Sequence, residues 1–212
     1  MKRIIAKDLL KIKAVFLRPK EPFIWASGIE SPIYCDNRMT LSDVQVRNDV
    51  EHALAELVKA HYPECQCLMG TSTAGIAHAA LTADILGLPM GYVRASAKDH
   101  GRNNRIEGKC EPGTKAVVVE DLISTAGSAI DVAEALREGG VDVLGIVSIF
   151  DYGMQKAIDR LNEHHLVCYS ASDYDTLLEV AAEEGYIDPA NIPALLAFRN
   201  DPSDKSWISS LK

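Results

Sequence analysis

The sequence predicts an α/β fold, a mostly parallel central sheet flanked by helices, with a small N-terminal hood. Three observations carry this expectation. From Cys67 onward, short apolar runs alternate with helical patterns, as successive βαβ units require. The 212 residues are 47% hydrophobic and 25% charged, the balance of a folded protein able to bury one substantial core. Before that alternation begins, Pro19, Pro22, Gly28 and Pro32 keep residues 17–38 from forming a helix.

In chain order, residues 2–15 predict a helix, because Ile4, Ile5, Leu9, Ile12 and Val15 recur near a 3.6-residue period. Ser42 predicts the N-cap of a helix reaching about His61. Val50, Leu54, Leu57, Val58 and His61 share one face of it, and Pro63 follows. Strands are then expected at Cys67–Gly70, Pro89–Arg94, Lys115–Asp121, Val141–Phe150 and His165–Ser170. Between them fall helices at Ile76–Leu86, Gly127–Glu138, Gln155–His164 and Tyr174–Glu184, the second closed by Gly139 and Gly140 and the last by Gly185. Residues 188–212 read as a docked terminal extension. With no repeat, linker or low-complexity tract, residues 1–212 are expected to form one domain, its hood mainly residues 1–40.

The 22 Lys and Arg against 30 Asp and Glu leave a net charge of −8, which disfavours a nucleic-acid or anionic-membrane partner. The longest stretch free of charged residues, 65–83, contains Gln66, Thr71, Ser72, Thr73 and His78 and is too polar to span a bilayer. The basic start resembles a leader, but Asp8, Lys11 and Lys13 interrupt any apolar core in it, so a cytoplasmic location is expected. Cys35, Cys65, Cys67, Cys110 and Cys168 are odd in number and carry neither zinc nor thioredoxin spacing; reduced, structural thiols are expected.

The chemistry concentrates in Val117–Ala129, VVVEDLISTAGSA. Three valines supply a buried strand, Glu120 and Asp121 stand at its carboxyl end, and a hydroxyl-rich turn feeds a helix N-terminus. Ligands of open parallel sheets bind at strand carboxyl ends, and such a turn offers several N–H groups to an anion. Singly, Ser124 and Thr125 fit an ordinary helix cap and the acids a solvated edge; in immediate succession they fit a monophosphate cradle beside acid groups. Neither a Walker A loop nor a G-x-G-x-x-G fingerprint is present. Residues 94–105 add Arg94, Lys98, His100, Arg102 and Arg105 among Gly101, Asn103 and Asn104, which reads as a basic lid or as a solvated basic loop. His78 is expected in the core or an interface, and His164 and His165 at a helix end where cations favour the dipole. No nucleophile elbow G-x-S-x-G supports hydrolase chemistry.

The run EDLISTAGS resembles the phosphoribosylpyrophosphate (PRPP) motif of type I phosphoribosyltransferases, and its Ser-Thr form is similar to that of orotate phosphoribosyltransferases. FIWASGIESPIYCDNR (23–38), GTSTAGIAHA (70–79) and YVRASAKDHGRNNRIEG (92–108) extend the likeness over nearly the whole chain. The resemblance implies the type I phosphoribosyltransferase fold. It also implies transfer of phosphoribosyl from PRPP to N1 of orotate, yielding orotidine 5-monophosphate and pyrophosphate in de novo pyrimidine (UMP) synthesis.

By the same resemblance Glu120, Asp121, Leu122, Ile123, Ser124, Thr125, Ala126, Gly127 and Ser128 contact PRPP. The turn 124–128 takes the 5-phosphate, the two acids take the ribose hydroxyls, and Ser124 lies nearest the orotate. Arg94, Lys98 and His100 hold pyrophosphate, with Lys98 the foremost catalytic group. The implied cofactor is Mg²⁺, bound mainly through PRPP and waters rather than by dedicated metal-ligating residues, and the implied assembly is a homodimer whose loop reaches the neighbouring site. Departures stand at Ala26, Ala74 and Ala95, where some relatives carry basic residues, and at Ala126, where glycine is commoner. Asp151-Tyr152-Gly153 replaces an orotate-binding arginine, leaving hood amides or Arg38 to hold the orotate carboxylate. Two rival readings are a transferase for a purine or uracil and a PRPP-sensing regulator; SPIYCDNR and AKDHG favour orotate, and the acidic chain leaves no basic module for a regulator.

Overall fold

The computed structural model describes residues 1–25, 28–95 and 105–212. Helix α1 (Lys2–Lys11) leads into four short strands, β1 (Val15–Leu17), β2 (Phe23–Ile24), β3 (Glu30–Ser31) and β4 (Ile33–Cys35). A 3₁₀ turn (Asn37–Ser42) and α2 (Val44–His61) follow. Then come β5 (Cys67–Thr71), α3 (Ala74–Leu86), β6 (Met90–Val93), β7 (Ile106–Glu107), β8 (Lys115–Ile123), α4 (Gly127–Glu138), β9 (Asp142–Asp151), α5 (Gln155–Glu163), β10 (Cys168–Asp173) and α6 (Tyr174–Glu183). A second 3₁₀ turn (Pro189–Asn191), α7 (Ile192–Asn200) and α8 (Ser206–Ser209) complete the chain.

The central sheet has six strands in the order β10-β9-β8-β5-β6-β7. All its pairings are parallel except β6 with β7, where Val93 faces Ile106. The period of two along β8 builds both halves of the core. Val117 and Val119 pack with α1, α2, α3 and α6, while Ala116 and Val118 pack with α4 and α5. Each fully buried valine contributes about 1.5–3 kcal/mol relative to an exposed one, so the two-sided burial of this strand anchors everything at its carboxyl end.

The hood consists of two antiparallel ribbons, β1 with β4 and β2 with β3. Trp25 joins it to the rest: its Nε1 donates to Ile33 O at 3.1 Å, and its ring lies 5.7 Å from Tyr152 and 5.8 Å from Phe198. Phe198 in turn meets the buried Trp207 at 5.6 Å, so the terminal extension is docked under the hood.

Several boundaries differ from the expectation, among them the carboxyl end of β8, which runs on to Ile123, and three have a visible cause. The first helix stops at Lys11 rather than continuing to Val15, because Lys13 takes φ 58° and Val15 pairs with Cys35. Asp43, not Ser42, caps α2, accepting from Gln45 N and Val46 N at 3.0 and 3.1 Å, because the 3₁₀ turn winds Ser42 into its own last residue. The strand expected from His165 begins at Cys168, since His165 takes φ 51° and Leu166 N closes onto Leu161 O, which makes those residues the exit of α5. Among the described residues, no helix is long and apolar enough to cross a membrane.

Candidate active site

The site is built at the carboxyl end of β8, which is hydrogen-bonded on both sides, to β5 and to β9. Glu120 is 5% exposed and turned inward, where its Oε1 accepts from Thr71 Oγ1 at 2.6 Å and from the Asp121 amide at 2.9 Å. Burial, reinforced by the neighbouring Asp121 carboxyl, pushes Glu120 up from 4.5 to about 8. Asp121 is partly exposed, and its backbone carbonyl accepts from Asn37 Nδ2 at 2.6 Å, which ties the hood to the strand end. With Cys35, Asp36, Arg38, Thr73 and Ala74, Asp121 lines an open cleft of about 260 Å³.

Close backbone approach holds the floor of this cleft. A Cβ on Gly75 would collide with Val119 O and lie 2.5 Å from Thr71 Oγ1, so only glycine lets α3 start against β8. The turn after β8 is held from the next strand exit, where Tyr152 N donates to Ile123 O at 3.0 Å. Ala126 then takes φ 59° and ψ 10°, the left-handed conformation that glycine fills more easily, so the departure noted in the sequence falls on a position that needs φ > 0.

Among the described residues no side chain caps α4. Ser124 and Thr125 therefore do not act as ordinary N-caps, and the first amides of the helix, which have no intrahelical acceptors, stay available to an anion. Ser124 and Thr125 are half-buried and Ser128 is exposed beside them. Behind the turn, Arg160 Nη1 donates to Thr125 O at 2.9 Å.

The basic segment is anchored at both ends. Arg94 N donates to Arg105 O and Arg105 Nε to Arg94 O, at 2.9 and 2.8 Å. Arg94 Nε lies 3.2 Å from Glu107, and Arg105 pairs with Asp131. Lys98, His100 and Arg102 lie outside the described residues. Arg38 forms a two-pronged ion pair with Asp36, at 2.6 and 2.7 Å, which holds the Asp36 carboxyl below its usual range. His78 is fully buried, as expected, with Nδ1 2.7 Å from Glu51 Oε1, and His164 ends α5 against Glu134. All five cysteines are unpaired, and burial raises the Cys35, Cys67 and Cys168 thiols. Among the described residues no three His, Cys, Asp or Glu side chains cluster as a metal site.

Thr71, Asn37 and Arg160 carry no role in the sequence reading. Their partners stand 49, 84 and 35 residues away, so no local pattern marks them.

Residues 44–170 match the phosphoribosyl transferase domain. Over 208 residues the chain is 55% identical to the orotate phosphoribosyltransferase of Bacillus subtilis, covering 98% of this chain and 96% of that protein. The chain belongs to the orotate phosphoribosyltransferase family. Among solved structures, the orotate phosphoribosyltransferase of Aeropyrum pernix superposes with a TM-score of 0.75 at 30% identity, covering 86% of this chain and 99% of that one. The Leishmania donovani UMP synthase superposes with a TM-score of 0.80 at 25% identity over 93% of this chain; the match spans only 42% of that longer structure. The type I phosphoribosyltransferase fold expected from the sequence is thus the fold observed, and membership of this family makes the protein a pentosyltransferase.

Proposed function

We propose that this protein transfers the phosphoribosyl group of PRPP to N1 of orotate, giving orotidine 5-monophosphate and pyrophosphate in de novo pyrimidine synthesis. The observation that carries the reading is the uncapped turn 124–128 at the end of a doubly paired strand, with Glu120 and Asp121 immediately before it. Its amides and hydroxyls suit the 5-phosphate, and the cleft at Asp121 suits the ribose and the pyrophosphate.

In this reading Asp121 accepts from a ribose hydroxyl, and Glu120 does so after leaving Thr71 and losing its proton. Leu122 and Ile123 set the height of the turn, Ser124 faces the base, and Thr125, Ala126, Gly127 and Ser128 enclose the phosphate. Departure of pyrophosphate from C1 leaves an oxocarbenium-like centre, so catalysis consists of neutralising the leaving group and fixing orotate in line. Lys98, Arg94 and His100 take the first task; hood amides or Arg38 hold the orotate carboxylate.

The acid pair supplies hard oxygen donors, which suits Mg²⁺ held mostly by substrate and water oxygens with Asp121 and Glu120 beside them. When bound, that ion neutralises pyrophosphate charge. The chain acts as one domain with a hood from residues 1–40, as a cytoplasmic homodimer that shares its basic loop across the two-fold axis.

Mixing the protein with Mg²⁺, PRPP and orotate and following ultraviolet loss of orotate with pyrophosphate release tests the function. Conversion with orotate but not with uracil or purines is expected. Folded protein that converts none of them overturns it.

A further inference from the structure

The turn that ends β8 is held from behind as well as open in front. Arg160 on α5 donates from Nη1 to Thr125 O, and its guanidinium lies over Gly127, where a Cβ would meet Nη1 at 3.2 Å, Nη2 at 3.7 Å and Cζ at 3.9 Å. These two contacts bracket Ala126, the residue in the left-handed conformation. The contact with Thr125 spans 35 residues and joins two different βα units.

Two physical consequences follow. A carbonyl oxygen facing a phosphate repels it, and the bond to Arg160 turns the Thr125 oxygen toward α5, so the amides of the turn remain on the other side. Arg160 also forms no ion pair with a carboxylate among the described residues, so its charge adds to the positive end of α4 instead of being neutralised locally. Lysine would keep that charge but not the planar two-nitrogen cover of Gly127.

We propose that Arg160 is a positioning residue of the phosphate turn, aiming the Thr125 carbonyl away from the sugar phosphate and placing a positive charge behind the amides that receive it. This rests on the assignment of residues 124–128 to the 5-phosphate. The ligand class it favours is a dianionic sugar 5-phosphate over the same sugar unphosphorylated.

The test uses the full chain as wild type, Arg160→Gln and Arg160→Lys, with ribose 5-phosphate as the probe. In the wild type, ribose 5-phosphate is expected to shift the amide resonances of residues 124–128. Arg160→Gln is expected to weaken ribose 5-phosphate and raise KM for PRPP by about tenfold, leave KM for orotate within about twofold, and bind free ribose as the wild type does. Arg160→Lys recovers part of the loss, and the gap between wild type and Arg160→Gln narrows at high salt. Thermal melts establish that the variants are folded; a purely packing role lowers Tm and leaves the phosphate affinity alone.

Equal ribose 5-phosphate affinity in wild type and Arg160→Gln overturns the proposal. A loss that lysine does not recover at all overturns its charge component. If ribose 5-phosphate leaves the wild-type amides of 124–128 unmoved, the phosphate assignment itself fails, a result distinct from either of these.

Discussion

The hydroxyl of Thr71 donates to Oε1 of Glu120 across 2.6 Å, joining two adjacent strands at the point where the sheet opens to the cleft. Burial holds that carboxyl at about 8 against an ordinary 4.5. The folded state therefore keeps a proton that the unfolded chain releases above about 4.5, and stability falls as pH rises through the window from 4.5 to 8. Glu120→Gln removes this titration. Urea denaturation is expected to show the variant gaining on the wild type as pH rises across the window, with a flatter profile. Parallel profiles for the two proteins would contradict the assignment.

Ala126 gives a second expectation. An L-residue in the left-handed region costs roughly 1–2 kcal/mol, and glycine relieves this while adding roughly 0.5–1 kcal/mol of unfolded-state entropy. Ala126→Gly should therefore stabilise by up to about 1 kcal/mol, a rise in Tm of about 2–4 °C for a chain of this size. A lowered Tm would show that the turn is not strained at φ 59°.

The βαβ alternation, the strand carrying the acids and the turn after it were legible in the sequence because each depends on local pattern: apolar runs between helical periods, and then valines, acids and small hydroxyl residues in succession. What was not legible depends on pairs brought together by topology. Thr71 lies within a quoted motif yet gains a purpose only beside Glu120, and Asn37 only beside the carbonyl of Asp121. Asp43 outcompetes Ser42 as a cap because a 3₁₀ turn, invisible in hydrophobic periodicity, consumes the serine. Alanine at 126 shows the limit from the other side: its side chain gives no hint that the backbone turns left-handed there.

Between α2 and α3, Glu51 accepts from Thr82 Oγ1 at 2.9 Å and faces His78 Nδ1 at 2.7 Å, all three buried. Glu51→Ala strands both partners and should destabilise by about 3 kcal/mol. Replacing all three with Glu51→Leu, His78→Leu and Thr82→Val should recover most of that loss. Chemical denaturation of the single and triple variants measures it; a harmless Glu51→Ala would refute the network's role.

For the leaving group, Lys98→Ala is expected to lower kcat on the order of a hundredfold or more, the usual loss when a donor aimed at developing charge is removed. Steady-state turnover with saturating PRPP and orotate decides it, and wild-type turnover would remove the role.

The order of the strands has one more consequence. The turn 124–128 comes off β8, in the middle of the sheet, while Arg94 and Arg105 come off β6 and the two-residue rim strand β7. Amide hydrogens in the middle should exchange slowest and those at the rim fastest, since a rim strand has a partner on one side only. On the proposed assignment the molecule divides labour across its width: a stiff interior behind the turn that receives the sugar phosphate, and a looser border that carries Arg94 and Arg105.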